Sequence, residues 1–284
     1  MKKSILLLAL IISTGLFAQE GVLMTFNMQE NKTYTTDTST KVSGTIDIMG
    51  SEEMIEAMKS QGMELPMEMK STSTIKITNQ TGTKDDNGDM GMVIDFVEMK
   101  STTTMSGKEI PTPQNPMQDA KIYARFTKDM KTELDSIQGG TLDQNIEAIF
   151  KSAIEQFAKS IDFPEEPLQI GSSFENKMPF NVPMGNMGAG KMEMKINTQY
   201  TLKKLEGDLA YFDIDQELTM DASNEALNMK ASGSGKGFME FNIKEKYFTK
   251  YDTTLPMNME MDGPQGMRMK MDMQVNSAVI TSIE

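Results

Sequence analysis

Thioether sulfur is the one chemically distinctive group this chain repeats: 30 of its 284 residues are Met, and it has no His, Cys or Trp. Met sulfur is a soft donor suited to Cu(I), and Ag(I) should behave similarly. Met184, Met187, Met192 and Met194 fall within eleven residues around a Gly-rich stretch and form the alternative set for such a metal. Met257, Met259 and Met261 face a second run, Met267, Met269, Met271 and Met273, across Asp262-Gly263-Pro264. Met is also unbranched and polarisable, which suits it to filling irregular cores and lining adaptable apolar surfaces. A metal site needs only a few converging ligands, whereas these residues recur along most of the chain. The pattern therefore favours Met as core filler or as the lining of an apolar groove. The groove candidates are Met192, Met194, Met257, Met259, Met261, Met267, Met269, Met271 and Met273.

Other chemistry is poorly supplied. Without His or Cys, the usual general bases, activated nucleophiles and zinc or iron ligand sets are missing. Paired carboxylates for glycoside hydrolysis remain formally available among 41 acidic residues, but 7% aromatics and no Trp leave little to stack on sugar rings. No catalytic residue is assigned, no cofactor is expected, and the inventory argues against an enzyme. Gly185-Asn186-Met187-Gly188-Ala189-Gly190-Lys191-Met192 approaches the phosphate-binding loop GxxxxGK[ST]. It lacks the terminal hydroxyl and runs into an alternating strand rather than a helix, so it reads as a hairpin loop. Asp85-Asp86-Asn87-Gly88-Asp89 has Gly and Phe96 where an EF-hand needs other spacing and a Glu, so it reads as a type I′ turn.

The elements that carry these residues alternate with period two. Met267, Met269, Met271, Met273, Val275, Val279 and Ile283 share one face of a strand, opposite Arg268, Lys270, Asp272, Gln274 and Asn276. Similar stripes run over Tyr34–Ile48, Met67–Ile77, Met90–Phe96, Met192–Leu202 and Tyr247–Met261. Alternation this clean belongs to antiparallel sheet with one wet face. Turns are marked by Asn87-Gly88, Glu206-Gly207-Asp208 and Asp262-Gly263-Pro264. Leu142–Ile161 has the 3/4 spacing of an amphipathic helix, capped by Thr141 and Gln144 and closed by Pro164 and Pro167. A shorter helix, Glu52–Gln61, starts at Ser51, stops at Gly62 and interrupts the first two long strands.

Residues 1–18 have the form of a secretory signal peptide: Lys2 and Lys3, an apolar run from Ile5 to Phe17, and Ala18 at the cleavage position. That run is shorter than the roughly 20 residues a membrane span needs, so no transmembrane anchor is expected. Loss of Lys2 and Lys3 would move the formal charge from −13 to −15, and so acidic a surface argues against nucleic acid as partner. With no Cys, stability has to come from the core alone. The expected organisation is a signal peptide (1–18), an N-terminal β half (19–140), a connecting amphipathic helix (141–163) and a C-terminal β half (164–284). Met67-Glu68-Met69-Lys70 recurs as Met192-Glu193-Met194-Lys195, with Gly82 matched to Gly207, which suggests an internal duplication within one continuous domain.

The Lys2-Lys3 leader ending Phe17-Ala18-Gln19, the strand start Lys32-Thr33-Tyr34, and Pro164-x-x-Pro167-Leu168-x-Ile170-Gly171-x-x-Phe174 resemble an uncharacterised family of exported β-rich proteins of Bacteroidota. Phe174 stands where that pattern often has Trp. The family has no assigned activity, so the resemblance implies export and a β fold and carries over no catalytic residue.

Together these features predict a mainly β protein with minor α content: a large curved antiparallel sheet or open half-barrel of about eleven strands, packed on one long amphipathic helix. A final strand of 17 residues would run about 55 Å, and strands that long must coil or bend at bulges. The expected function is that of an exported, non-enzymatic binding or carrier protein, periplasmic or secreted, whose Met-lined groove takes an apolar or lipid-like ligand or a partner segment. The alternatives are a Cu(I)/Ag(I)-binding protein and a structural or cell-surface interaction module. No particular protein partner is indicated.

Overall fold

The computed structural model describes residues 21–60, 62–111, 117, 120–128, 132–140, 162–183, 191–223, 228–263 and 266–284. Within them the chain forms β1 (Thr33–Met49), α1 (Glu52–Ser60), β2 (Met67–Lys84), β3 (Met90–Met105), β4 (Lys108–Ile110), β5 (Lys121–Phe126) and β6 (Thr132–Gln138). It continues as β7 (Ser173–Pro183), β8 (Lys191–Glu206), β9 (Leu209–Ser223), β10 (Asn228–Asn242), β11 (Tyr247–Asp262) and β12 (Arg268–Ile283). The protein is mainly β: one antiparallel sheet of 12 strands that does not close. The expected strand number is met, with the three-residue β4 added on β3. The proposed helix over 142–161 lies outside the described residues.

Strand order is β6-β5-β3-β2-β1-β12-β11-β10-β9-β8-β7. Each strand beside the next in sequence is an ordinary meander, but the sheet's middle joins the first strand to the last. β1 and β12 pair from Tyr34↔Ile283 to Met49↔Arg268, and Glu284 extends the ladder by exchanging backbone bonds with Thr33 at 3.0 Å. The alternating stripes appear as strands with their apolar residues on one face. The short helix also forms where its signals place it. Ser51 Oγ accepts from the Met54 N–H at 3.3 Å at its start, and Gly62 stands beyond its end with φ +80°.

The sheet curls around its own apolar face. Residues 21–29 cross that face at one end: Val22 forms a two-way bridge with Leu168, Asn27 donates to Lys246 O at 2.9 Å, and Gln29 N donates to Tyr34 Oη at 2.7 Å. Met24 from this segment packs with Phe174, Tyr200, Phe212, Met239 and Phe241, whereas Met28 packs with Tyr34, Met90, Met92 and Phe126. One short segment can touch both halves of the sheet only if the sheet bends around it. Phe163 adds an edge-on contact to Phe241 at 4.8 Å and a tilted one to Phe174 at 5.2 Å. Aromatic pairs in this geometry add about 0.5–1.5 kcal/mol each beyond their buried area. The result is a plugged, aromatic end.

The bend is built into particular strands. β10 carries Gly233, Gly235 and Gly237 on its inner face, and a Cβ at Gly233 or Gly235 would sit 2.5 Å from a carbonyl oxygen of β11. Glycine stripes of this kind let neighbouring backbones approach and the sheet coil tightly. β-bulges at Thr81/Lys84, Leu202/Lys204, Tyr123/Ala124 and Glu240/Phe241 add twist near the aromatic end.

Candidate functional site

Away from the plugged end, the strand register lines up Met side chains in rows. Opposite residues in an antiparallel pair point to the same face, so each row can be followed across the sheet. One row runs Met194, Met220, Ala231, Met259, Met271, Ile46, Met67. Beside it runs Met192, Ala222, Met229, Met261, Met269, Ile48. On the other side lies Ile196, Leu218, Gly233, Met257, Met273, Gly44, Met69, Met105. Rows two residues apart along a strand are separated by about 6.6 Å, so the three form a band roughly 13 Å high.

All nine groove candidates stand on this face. Met192 and Met194 come from β8, Met257, Met259 and Met261 from β11, and Met269, Met271 and Met273 from β12. Met267, just before β12, packs with Met269, Met271, Met58, Leu65, Ile46 and Ile48. α1 thus covers the band at its β1–β2 corner through Met58. The nine candidates are half-buried rather than enclosed, in contrast to Met90 and Met239, which are 0% exposed in the plugged end. Two populations of Met therefore exist: core filler near the aromatic cluster, and an accessible band beyond it. Of the alternative metal set, Met192 and Met194 are on the band, and Met184 and Met187 lie outside the described residues.

Between the Met band and the aromatic end, hydroxyls take over the inner face. Thr40 lies 3.5 Å from Ser277, Ser71 Oγ 3.0 Å from Thr103 Oγ1, and Thr36 Oγ1 3.1 Å from Thr281 Oγ1. At the same height in the C-terminal half, Gln216 Nε2 donates to Thr198 Oγ1 at 3.5 Å, and Thr198 is fully buried. Below this belt Tyr200 hydrogen-bonds to Tyr251, and burial pushes the phenols of Tyr200 and Tyr247 well above their ordinary range and raises that of Tyr251. The hydroxyl belt and the β10 glycine stripe are features the sequence analysis does not single out. The signal for the second was present as Ala231-Ser232-Gly233-Ser234-Gly235-Lys236-Gly237, an alternation written in the smallest residue.

Charge is sorted by face. Among the described residues of β1–β3 and β7–β12, Lys84, exposed at the end of β2 opposite Met90, is the one Asp, Glu, Lys or Arg in an inward register, although 24% of the chain is charged. The other charged side chains face outward and pair across neighbouring strands there, as in Lys270–Glu260 at 3.3 Å, Lys236–Asp215 at 3.4 Å and Lys203–Asp213 at 3.2 Å. Such exposed pairs contribute about 0–1 kcal/mol each. Among the described residues no cluster of three or more acidic side chains is placed to hold a metal ion.

No family model matches the chain, and no curated protein matches it either. Similar solved structures include porins. A mutant of the Rhodopseudomonas blastica porin, with three substitutions, has 10% identity and a TM-score of 0.29 over 86% of this chain and 99% of the porin. Pseudomonas aeruginosa OccK5 (OpdH) has 6% identity and a TM-score of 0.28 over 90% of this chain and 99% of its own. A likeness that distant says nothing about activity. The polarity of the sheet is moreover the reverse of a membrane barrel's, which turns its apolar residues outward to lipid. Among the described residues no helix is long and apolar enough to cross a membrane.

Proposed function

We propose that this protein is an exported, non-enzymatic binding or carrier protein that holds an apolar, lipid-like ligand against its Met band. The observation that carries the reading is the accessibility of that band. Met192, Met194, Met229, Met257, Met259, Met261, Met269, Met271 and Met273 stay half-buried on the inner face, whereas the aromatic end and the Ile46, Ile48 and Met67 corner of β1 and β2 are buried. Contiguous apolar surface of this extent, rimmed by polar outward faces, is characteristic of binding surfaces. Met suits the role because its three rotatable bonds let one surface fit chains of differing shape.

A soft-metal role is the second reading, supported by the directly opposite pairs Met257↔Met273, Met259↔Met271 and Met261↔Met269. One measurement separates the two. Native mass spectrometry of freshly purified protein is expected to show adducts with the mass of lipid, and an apolar fluorophore is expected to bind and brighten. Met259→Lys should abolish uptake of the fluorophore with the fold intact. An adduct of copper or silver mass, retained on dilution, would instead favour the metal. Protein that is empty and dark to the fluorophore overturns the carrier reading.

A further inference from the structure

The inner face also specifies what kind of head group its ligand has. We propose that the ligand is an uncharged amphiphile: hydrocarbon lies along the Met band, and a neutral hydrogen-bonding group such as an ester, amide or hydroxyl meets the Ser/Thr belt. This rests on the carrier reading and adds the chemical class to it.

The belt is composed of side chains that can serve a neutral group in either sense. A hydroxyl rotates to donate or accept as required, so Thr40, Ser277, Ser71 and Thr103 can offer a hydrogen to an ester carbonyl or receive one from an alcohol. They occupy two successive rows directly beyond the Met row that passes through Gly44: Ser71 and Thr103 level with Val42, then Ser277 level with Thr40. Nothing at that height answers a charge. A carboxylate, phosphate or ammonium brought onto this face would lose water and, among the described residues, find no counter-ion on the inner face of the Met band or the belt. An anionic amphiphile is disfavoured a second time at encounter, since the chain's formal charge is −13.

The test displaces a bound apolar fluorophore, N-phenyl-1-naphthylamine, from the full mature chain at pH 8 with a series sharing one hydrocarbon chain: methyl palmitate, monopalmitin, palmitate and hexadecyltrimethylammonium. The neutral members are expected to displace the probe at concentrations lower by roughly tenfold or more than the two charged ones. Thr40→Val combined with Ser277→Ala is expected to reduce the preference for monopalmitin over palmitate, read as the ratio of their displacement midpoints. The double variant's thermal transition is followed in parallel. Ser71→Ala, one row nearer the Met band on β2, repeats the measurement should the double variant fail to fold. Equal or tighter binding of palmitate or the ammonium overturns this inference and leaves the carrier reading standing. Failure of the wild-type chain to take up the probe or any member of the series overturns both.

Discussion

Tyr200, Tyr251, Tyr247 and Tyr34 all hold their phenolic protons more tightly than a solvated tyrosine does, because each would have to form its anion in the buried aromatic end. The ordinary phenol titrates at 10.0. Above that pH the unfolded chain loses protons that the folded chain keeps, so stability falls as pH rises. Below it the contribution is fully present. The protein is expected to keep its melting temperature up to about pH 10 and to lose it steeply beyond, with phenolate absorbance appearing together with loss of the β-sheet circular dichroism signal. Phenolate absorbance that rises while the sheet persists would show these hydroxyls to be accessible. The two Met populations give a second residue-scale expectation. Under mild peroxide, Met257, Met259 and Met271 are expected to become sulfoxides early, whereas Met24, Met90 and Met239, at 0–2% exposure, persist until the fold opens. Peptide mass spectrometry reads the order, and simultaneous oxidation of both groups would contradict the half-open band.

At the scale of elements, the inner glycines of β10 set the curvature. A Cβ at Gly237 would overlap the carbonyl of Asp252 and crowd Thr253, which are backbone and side chain of the adjoining strand. Gly237→Ala therefore has to push β11 away, and a loss of about 1–3 kcal/mol or more is expected in denaturant unfolding. Gly91, on β3 opposite the Thr81/Lys84 bulge, has open space around the same atom, so Gly91→Ala is expected to stay within about 0.5 kcal/mol. Equal effects at the two sites would remove the glycine stripe as the cause of the bend. This is also where the sequence was least legible. Six strands announce themselves through Met, Ile and Tyr alternating with charge, because one-sided burial selects residues with period two. β10 alternates too, but glycine buries almost nothing and reads as a turn signal. Alternation likewise told which face each Met occupies, and the 262–264 turn set β11 against β12, but the partners of the remaining strands are chosen by register between segments far apart in sequence. The nine band residues could be named from the sequence; their three rows and the hydroxyl belt beneath could not.

At the scale of the molecule, the two halves start alike. Asn31, with φ +55°, leads into Tyr34 and donates to Gly82 O; Gly171, with φ +92°, leads into Phe174 and donates to Leu202 O. These bonds match Gly82 with Leu202, whereas the repeated Met-Glu-Met-Lys matches it with Gly207. The halves meet at the pairing of β1 with β12, where Thr36 touches Thr281 across 245 residues of chain. That seam has a consequence in time. β1 keeps one bare edge of N–H and C=O groups until the 16-residue β12 has emerged, and β11 has a bare edge of its own until the same strand docks between them. Bare edges are templates for pairing with another chain, and contacts this distant in sequence form slowly. The nascent polypeptide therefore passes through a prolonged adhesive stage that ends only when β12 docks between β11 and β1, and a cell that makes much of it has to keep neighbouring copies at that stage apart.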